Sequence, residues 1–317
     1  MLALVAHSAA AQRNGPPERD GFVTTPDSVR LWYRVVGQGA ETVIIPAALY
    51  HRKSFDRLAR GRRVVLFDPR RRGLSDTVPA SKVSIETDLA DLETIRKTVG
   101  AESFALIAWS ALGMEYYLYA LLPGRVTRLV QLASLAPRRV PYWDLMKARQ
   151  QARIDSAAQA RLNVRVAAGE FKSNEAGLCR ELASLSNPAT FGDPKMSHLA
   201  PDVCDSPNEW PTRYGVMVQA ILASFGDFDW RSSLERVSIP RLVIHGDRDN
   251  FPVEGAREWV AGRPNARLLV LRGVGHWPQY ERPRETLNAI EGFLSGHWPA
   301  GSRSIPRAEP ARSNPSG

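Results

Sequence analysis

Short apolar runs alternate with stretches of helical spacing along this chain, and that alternation confines it to a largely parallel sheet with helices on its faces. ETVIIP (41–46), RRVVLFD (62–68), SFALIAW (103–109), RLVQLAS (128–134), RLVIHGD (241–247) and ARLLVLRG (266–273) read as strands. Between them lie helical patterns: a short stretch near 53–60, IETDLADLETIRKTVG (85–100) with Gly100 as its C-terminal cap, ALGMEYYLYALL (111–122), EGAREWVA (254–261) and PRETLNAIEGFL (283–294). Continuous apolar strands are those buried on both faces, and strand–helix–strand repeats close with right-handed crossovers. Two earlier runs, GFVTTP and SVRLWYRVV, are joined by a Pro26-Asp27 turn. In the second, Val29, Leu31, Tyr33 and Val35 alternate with Arg30 and Arg34, as in a strand wet on one side. The fold class is therefore α/β.

The 317 residues suit one large domain with an inserted subdomain. Residues 21–136 and 237–296 carry the strand–helix alternation. Residues 137–236 interrupt it with helical pieces such as WDLMKARQQARIDSAAQARL, and read as a helical lid. Residues 12–20 read as a linker, and the Pro-, Ser-, Arg- and Gly-rich residues 297–317 as a disordered tail. No internal repeat is present. The opening MLALVAHSAAAQ resembles the end of a secretory signal peptide cut near Ala11, although its apolar core is short and it has no basic start. Export is the expectation, with the cytoplasm as the alternative. Cys179 and Cys204 are the two cysteines. In an exported protein they pair as a disulfide; in a cytosolic one they are two buried thiols.

The net charge is +9, and 36 of the 42 basic residues are arginine. The basic residues are scattered, apart from RGRR (60–63) and RRR (70–72) among turn residues. With no nucleic-acid motif around them they describe a solvated surface, and nucleic acid is excluded as a partner. No run reaches the roughly 18 apolar residues of a membrane span. Two cysteines are too few to recommend a metal site.

Reactive groups in an open parallel sheet gather at the carboxyl ends of its strands. Ser110 stands there, between SFALIAW and a helix, with small Ala108 two residues before it. Two residues after it stands Leu112, with Gly113 following, so the G-x-S-x-G pattern is met at neither end. RLVIHGD is followed by a second candidate, Asp249 in HGDRDNF. Asp247 competes, but it sits at the strand end and suits a turn cap, whereas Asp249 lies further into the loop. His276 in RGVGHWPQYERP follows the last strand. His7 is in the leader, His297 in the tail, His198 in the lid, His51 at a helix start and His245 inside a strand. A nucleophile, an acid and a base thus follow one another in the order Ser, Asp, His.

At these positions the chain resembles alpha/beta hydrolases, in the group that includes proline iminopeptidases and small esterases. FDPRRRGLSD (67–76) resembles that family's D-x-R-G-x-G-x-S-D loop, IAWSALG (107–113) its nucleophile elbow, HGDRDNFP (245–252) its acid turn and GVGHWPQYERP (273–283) its histidine loop. The resemblance spans about residues 21–135 and 237–295. It implies an alpha/beta hydrolase fold, a Ser110–Asp249–His276 triad and no cofactor or metal. The usual His-Gly after the third strand is missing, and IIPAALYH (44–51) stands there. The first oxyanion donor is then the N–H of Leu49, or of Ala48 if the register slips by one, and the second is that of Ala111. Losing such a donor costs about 3–4 kcal/mol in the transition state. A serine at the elbow argues against epoxide hydrolases and haloalkane dehalogenases, where the resemblance would require aspartate. Hydrolysis of a small-molecule carboxylic ester is the leading expectation, with Tyr142, Trp143 or Trp210 shaping an acyl pocket. The runner-up is a proline iminopeptidase, with Glu175, Glu181 or Glu209 meeting the free amine, although these carboxylates read first as solvated surface. A third reading, from another class, is a ligand-binding protein without turnover.

Overall fold

The computed structural model describes residues 17–51 and 53–307. Eight strands form one sheet: β1 (Glu18–Thr24), β2 (Arg30–Val36), β3 (Thr42–Pro46), β4 (Arg63–Phe67), β5 (Phe104–Trp109), β6 (Val126–Leu132), β7 (Arg241–Gly246) and β8 (Ala266–Leu271). Their order is β1-β2-β4-β3-β5-β6-β7-β8, with β1 and β2 antiparallel to their neighbours and the rest parallel. The centre of the sheet is buried on both faces because β3, β4 and β5 are apolar at nearly every position, whereas β1 at the edge is polar and exposed. Along β4, Val65 and Phe67 enter one hydrophobic cluster and Val64 and Leu66 the other. Each such side chain contributes about 1.5–3 kcal/mol by leaving water.

The helices are α1 (Ala48–His51), α2 (Ile85–Thr98), α3 (Ser110–Glu115), α4 (Tyr142–Gln151), α5 (Ser156–Ala167), α6 (Glu175–Thr190), α7 (Pro211–Phe225), α8 (Val253–Glu258), α9 (Pro278–Glu281) and α10 (Pro283–Leu294). A capping box starts α2, the Ser84 hydroxyl accepting from Thr87 N–H. The helix expected over 111–122 is α for only its first turns and tightens to 3₁₀ over Tyr116–Leu121. The helical run expected over 143–162 divides at Asp155, whose carboxylate caps α5 by accepting from Ala158 N–H at 2.9 Å. No helix among the described residues is long and apolar enough to cross a membrane.

Helices α4 to α7 form an insertion between the sheet neighbours β6 and β7. Its two ends meet: Trp230 N–H donates to Pro137 O at 2.8 Å and Arg139 N–H to Phe228 O at 3.0 Å. Cys179 on α6 and Cys204 are joined as a disulfide.

Two boundaries expected from sequence are corrected. The stretch 12–20 is not all linker: β1 begins at Glu18, whose carboxylate pairs with the buried Arg34. The expected tail is ordered through residue 307. Arg303 exchanges backbone hydrogen bonds of 2.8 and 2.9 Å with Leu268, and Gly262 N–H donates to Ile305 O. As the last strand, β8 would otherwise present an unpaired edge, and Trp298 anchors the segment against Phe293. The leader and its expected cleavage point lie outside the described residues.

Candidate active site

Ser110 ends β5 and opens α3 with φ +60°, a left-handed conformation rare for a residue with a side chain. Such strain costs about 1–3 kcal/mol and persists only where the surroundings impose it. Here the strand before and the helix after leave the chain no other path. Leu112, two residues after the serine, lines the cavity and packs against the core.

His276 follows β8. Its Nε2 lies 2.9 Å from Ser110 Oγ, and its Nδ1 lies 3.0 and 3.2 Å from the two carboxylate oxygens of Asp249. A carboxylate only accepts, so Nδ1 carries the proton and Nε2 is left to accept from the serine hydroxyl. Asp249 is 1% exposed. Burial pushes its carboxyl up, but the charge and N–H of His276, helped by His245 and the Phe251 N–H, outweigh burial and hold it below the usual range. Asp247 instead accepts the Gly273 N–H at 2.7 Å in an exposed turn. The histidine backbone is fixed as well: its N–H donates to Thr190 O and its carbonyl accepts from Trp109 Nε1.

Sequence reasoning missed Glu281. Buried beneath the histidine loop, it accepts from the N–H groups of Gly275 (2.9 Å), Trp277 (3.3 Å) and Gly192 (2.8 Å). It thereby ties that loop to the insertion. A glutamate five residues beyond the histidine, between Pro278 and Pro283, was the available signal.

Leu49 is corrected as an oxyanion donor. Its N–H is already spent on Asp68 Oδ1 at 3.0 Å. Ala47 turns the chain with φ +60°, so Ala48 heads α1, where no helical carbonyl stands behind its N–H. Ala111 holds the second position of α3 and is in the same condition. Asp68 also accepts Leu74 N–H at 3.1 Å. A Cβ on Gly73 would fall 2.0 Å from that carboxylate, so the loop 68–76 requires glycine there. Burial, only partly offset by these two N–H groups, pushes the Asp68 carboxyl up to about 6.

A cavity of about 920 Å³ lies over Ser110 and His276 beneath the insertion. Met146, Leu182, Ile221 and Leu222 give it an apolar wall, and Trp143 joins them. Tyr142 and Trp210 do not line it: the first donates to Glu258, the second to Cys204 O. Glu175 accepts from Thr212 and Glu181 pairs with Arg165, both on the outer surface. Glu209 is buried rather than solvated. It takes Arg72 Nε and Nη2 at 3.0 and 3.1 Å, Tyr50 Oη at 2.9 Å and Gly73 N–H at 3.2 Å. Arg72 lies between the rings of Tyr50 and Tyr214. Beside it, Asn208 donates to the carbonyls of Gly73 and Ser75.

A strand–serine–helix elbow, an acid turn and a histidine loop at the carboxyl ends of one parallel sheet define the alpha/beta hydrolase class. The profile of the alpha/beta hydrolase fold family matches residues 45–283, and the chain belongs to that family. It is 25% identical over 288 residues to 2-hydroxy-6-oxononadienedioate/2-hydroxy-6-oxononatrienedioate hydrolase 1 of Dechloromonas aromatica, spanning 84% of this chain and 91% of that protein. An esterase from Exiguobacterium antarcticum shares the fold with a TM-score of 0.64 at 17% identity, over 86% of this chain and 98% of its own. A proline iminopeptidase from Mycobacterium smegmatis does so with a TM-score of 0.61 at 19% identity, over 88% and 98%.

Proposed function

We propose that the protein is a serine hydrolase that cleaves a carboxylic ester of a small molecule through a covalent acyl-enzyme. The observation that carries this reading is the unbroken chain from Ser110 Oγ to His276 Nε2 and from Nδ1 to Asp249. Ser110 Oγ forms a bond to the acyl carbon while its proton passes to His276. The N–H groups of Ala111 and Ala48 meet the developing oxyanion. The C–O bond breaks, and the alkoxide leaves with the proton from His276. Water then gives a proton to His276 and attacks the acyl carbon. Ser110 departs with that proton restored. Asp249 holds the imidazole in the required tautomer throughout. The insertion acts as the lid, and its apolar wall favours an apolar acyl or alcohol portion.

The aminopeptidase reading is less well supported, because Glu175 and Glu181 face away from the cavity and Glu209 is neutralised by Arg72. Export is the reading that the Cys179–Cys204 disulfide favours. A fluorophosphonate probe tests the central claim. The wild-type protein should be labelled, and Ser110→Ala and His276→Ala should not. Folded wild type that resists the probe would overturn the triad and favour a binding protein. An ester panel set against proline arylamides then separates the two hydrolytic readings.

A further inference from the structure

The turn that carries the Ala48 N–H has little stability of its own. Helix α1 is four residues long, and a first helical turn fixes several dihedrals for a single hydrogen bond. Where Ala48 points is therefore set from outside the turn. Two buried carboxylates set it, and they do so in the same way. Asp68, just past the end of β4, bridges α1 to the loop 68–76: one oxygen accepts Leu49 N–H at 3.0 Å and the other Leu74 N–H at 3.1 Å. Glu209, from the insertion, makes the same bridge with the neighbouring residues: one oxygen accepts Tyr50 Oη at 2.9 Å and the other Gly73 N–H at 3.2 Å. Arg72 donates to both Glu209 oxygens and sets its guanidinium 5.0 Å from the centre of the Tyr50 ring. The backbone of Tyr50 is held as well, because its carbonyl accepts Tyr280 Oη at 2.7 Å. Its ring lies 5.4 Å from that of Trp109, the residue before Ser110.

Glu209 and Tyr50 both line the cavity, but neither is free to act on a substrate. Each Glu209 oxygen already accepts twice. Tyr50 has one hydroxyl proton and gives it to Glu209, so it is not itself an oxyanion donor. What the pair does is fix a position. An oxyanion donor lost outright costs about 10²–10³ in kcat, and misplacement by 1 Å costs about a hundredfold. Releasing Tyr50 Oη leaves Asp68 and Tyr280 in place, so α1 shifts by a fraction of an ångström and the cost is about tenfold.

We infer that Glu209 is a positioning residue for the oxyanion hole: acting through the Tyr50 hydroxyl, it makes a seated insertion the condition for aiming the Ala48 N–H. This role rests on the hydrolase reading above and deepens it, since the insertion then works as part of the site as well as its roof.

Two variants test it. Tyr50→Phe removes the hydroxyl and keeps the ring. Glu209→Asp keeps a charge for Arg72 and draws the carboxylate back by one carbon–carbon bond, about 1.5 Å, out of reach of Tyr50. With p-nitrophenyl butyrate each should lose about tenfold in kcat at unchanged KM. The double variant should lose no more than either alone, because both substitutions break one bond. Inhibition by 1,1,1-trifluoro-2-hexanone gives a readout that a loss of stability does not move. Ser110 Oγ bonds to its carbonyl carbon, the serine proton passes to His276, and the carbonyl oxygen becomes an oxyanion in the hole. Its affinity should fall about tenfold in each variant, whereas 2-hexanone, which is not activated toward addition, should inhibit all forms alike. If Glu209→Asp fails to fold, Tyr280→Phe frees Tyr50 at its carbonyl and should repeat the pattern. Wild-type kcat in Tyr50→Phe, a loss carried by KM, losses that multiply in the double variant, or an equal change for the two ketones would overturn the assignment. Wild-type protein that takes neither fluorophosphonate nor the trifluoro ketone would remove the hydrolase reading, and this role with it. Wild type that takes both, with variants that match it, would remove this role alone.

Discussion

Replacing Gly113 by alanine tests whether the elbow is as tightly set as its geometry implies. A Cβ there would lie 2.9 Å from Ala108 O, 2.9 Å from Ser134 Cβ and 3.0 Å from Ser134 Oγ. Ordinary contact begins at about 3.5 Å, so the shortfall is about half an ångström. The serine can turn its hydroxyl away, but Ala108 O belongs to β5 in the middle of the sheet and cannot retreat. Helix α3 must therefore move, and Ser110 opens that helix. A like shift would stretch the 2.9 Å contact between Ser110 and His276 beyond good hydrogen-bond length. In stability, alanine gains about 1 kcal/mol of helix propensity, and overpacking costs about 1–3 kcal/mol. The net is a destabilisation of about 0–2 kcal/mol. In reactivity, misplacement by 1 Å costs about a hundredfold, so half of that costs about tenfold. Urea unfolding and the second-order rate of fluorophosphonate labelling measure the two effects. Gly215→Ala is the control. Gly215 lies within α7, and nothing stands within 4 Å of its Cβ position, so alanine there should stabilise by up to about 1 kcal/mol and leave labelling alone. A Gly113→Ala protein as stable as that control and labelled at the wild-type rate would refute the reasoning.

Other outcomes follow from buried groups elsewhere. His51 is buried with both ring nitrogens unpartnered among the described residues, and burial brings its pKa down to about 3. A base depressed on folding stabilises the fold above its unfolded pKa of about 6.5 and loses that contribution as the pH falls toward 3. The loss is about 1.4 kcal/mol per unit, or about 2.7 kcal/mol by pH 4.5. His51→Leu should flatten the stability profile over that window, and an unchanged acid limb in denaturant melts would count against it. Serine at both Cys179 and Cys204 opens a crosslink between positions 25 apart and should cost about 3 kcal/mol. Thiol titration of unreduced, denatured protein should find none free, and two free thiols would contradict the bond. Glu209→Gln leaves the buried Arg72 without its counter-charge and should cost about 3 kcal/mol, with an unaltered melting midpoint telling against the contact.

The strands were legible because residues buried on both faces of a parallel sheet must be apolar throughout, and few other contexts demand that. Ser110, Asp249 and His276 were legible for a related reason: each follows such a run within a few residues. The choice between Asp249 and Asp247 needed only the depth of the loop: the chain brings Asp249 to His276 and leaves Asp247 in an exposed turn. What failed turned on pairing across long separations. Leu49 and Ala48 are equal as sequence, and only Asp68, arriving from the end of β4, takes one N–H and leaves the other. Glu209 looked like surface because nothing near it in the chain shows that Arg72 will meet it. The ordered stretch 297–307 has a disordered composition, yet the open edge of β8 accepts it.

The seat of Glu209 and Asn208 on the loop at residues 72–75 has a consequence for traffic into the cavity. The insertion is held where its paired ends meet, at this distant point, and where Thr190 and Gly192 meet the histidine loop, and a body held at three separate places resists swinging about any one axis. Access is then expected to depend on side chains rotating in the seams between its helices, which would sort molecules by girth before any bond is tested. A slender chain should pass readily, and a branched one should wait on rarer openings. Selection of that kind appears in association rates rather than in the chemical step, and widening a seam would broaden the range of compounds admitted without touching Ser110.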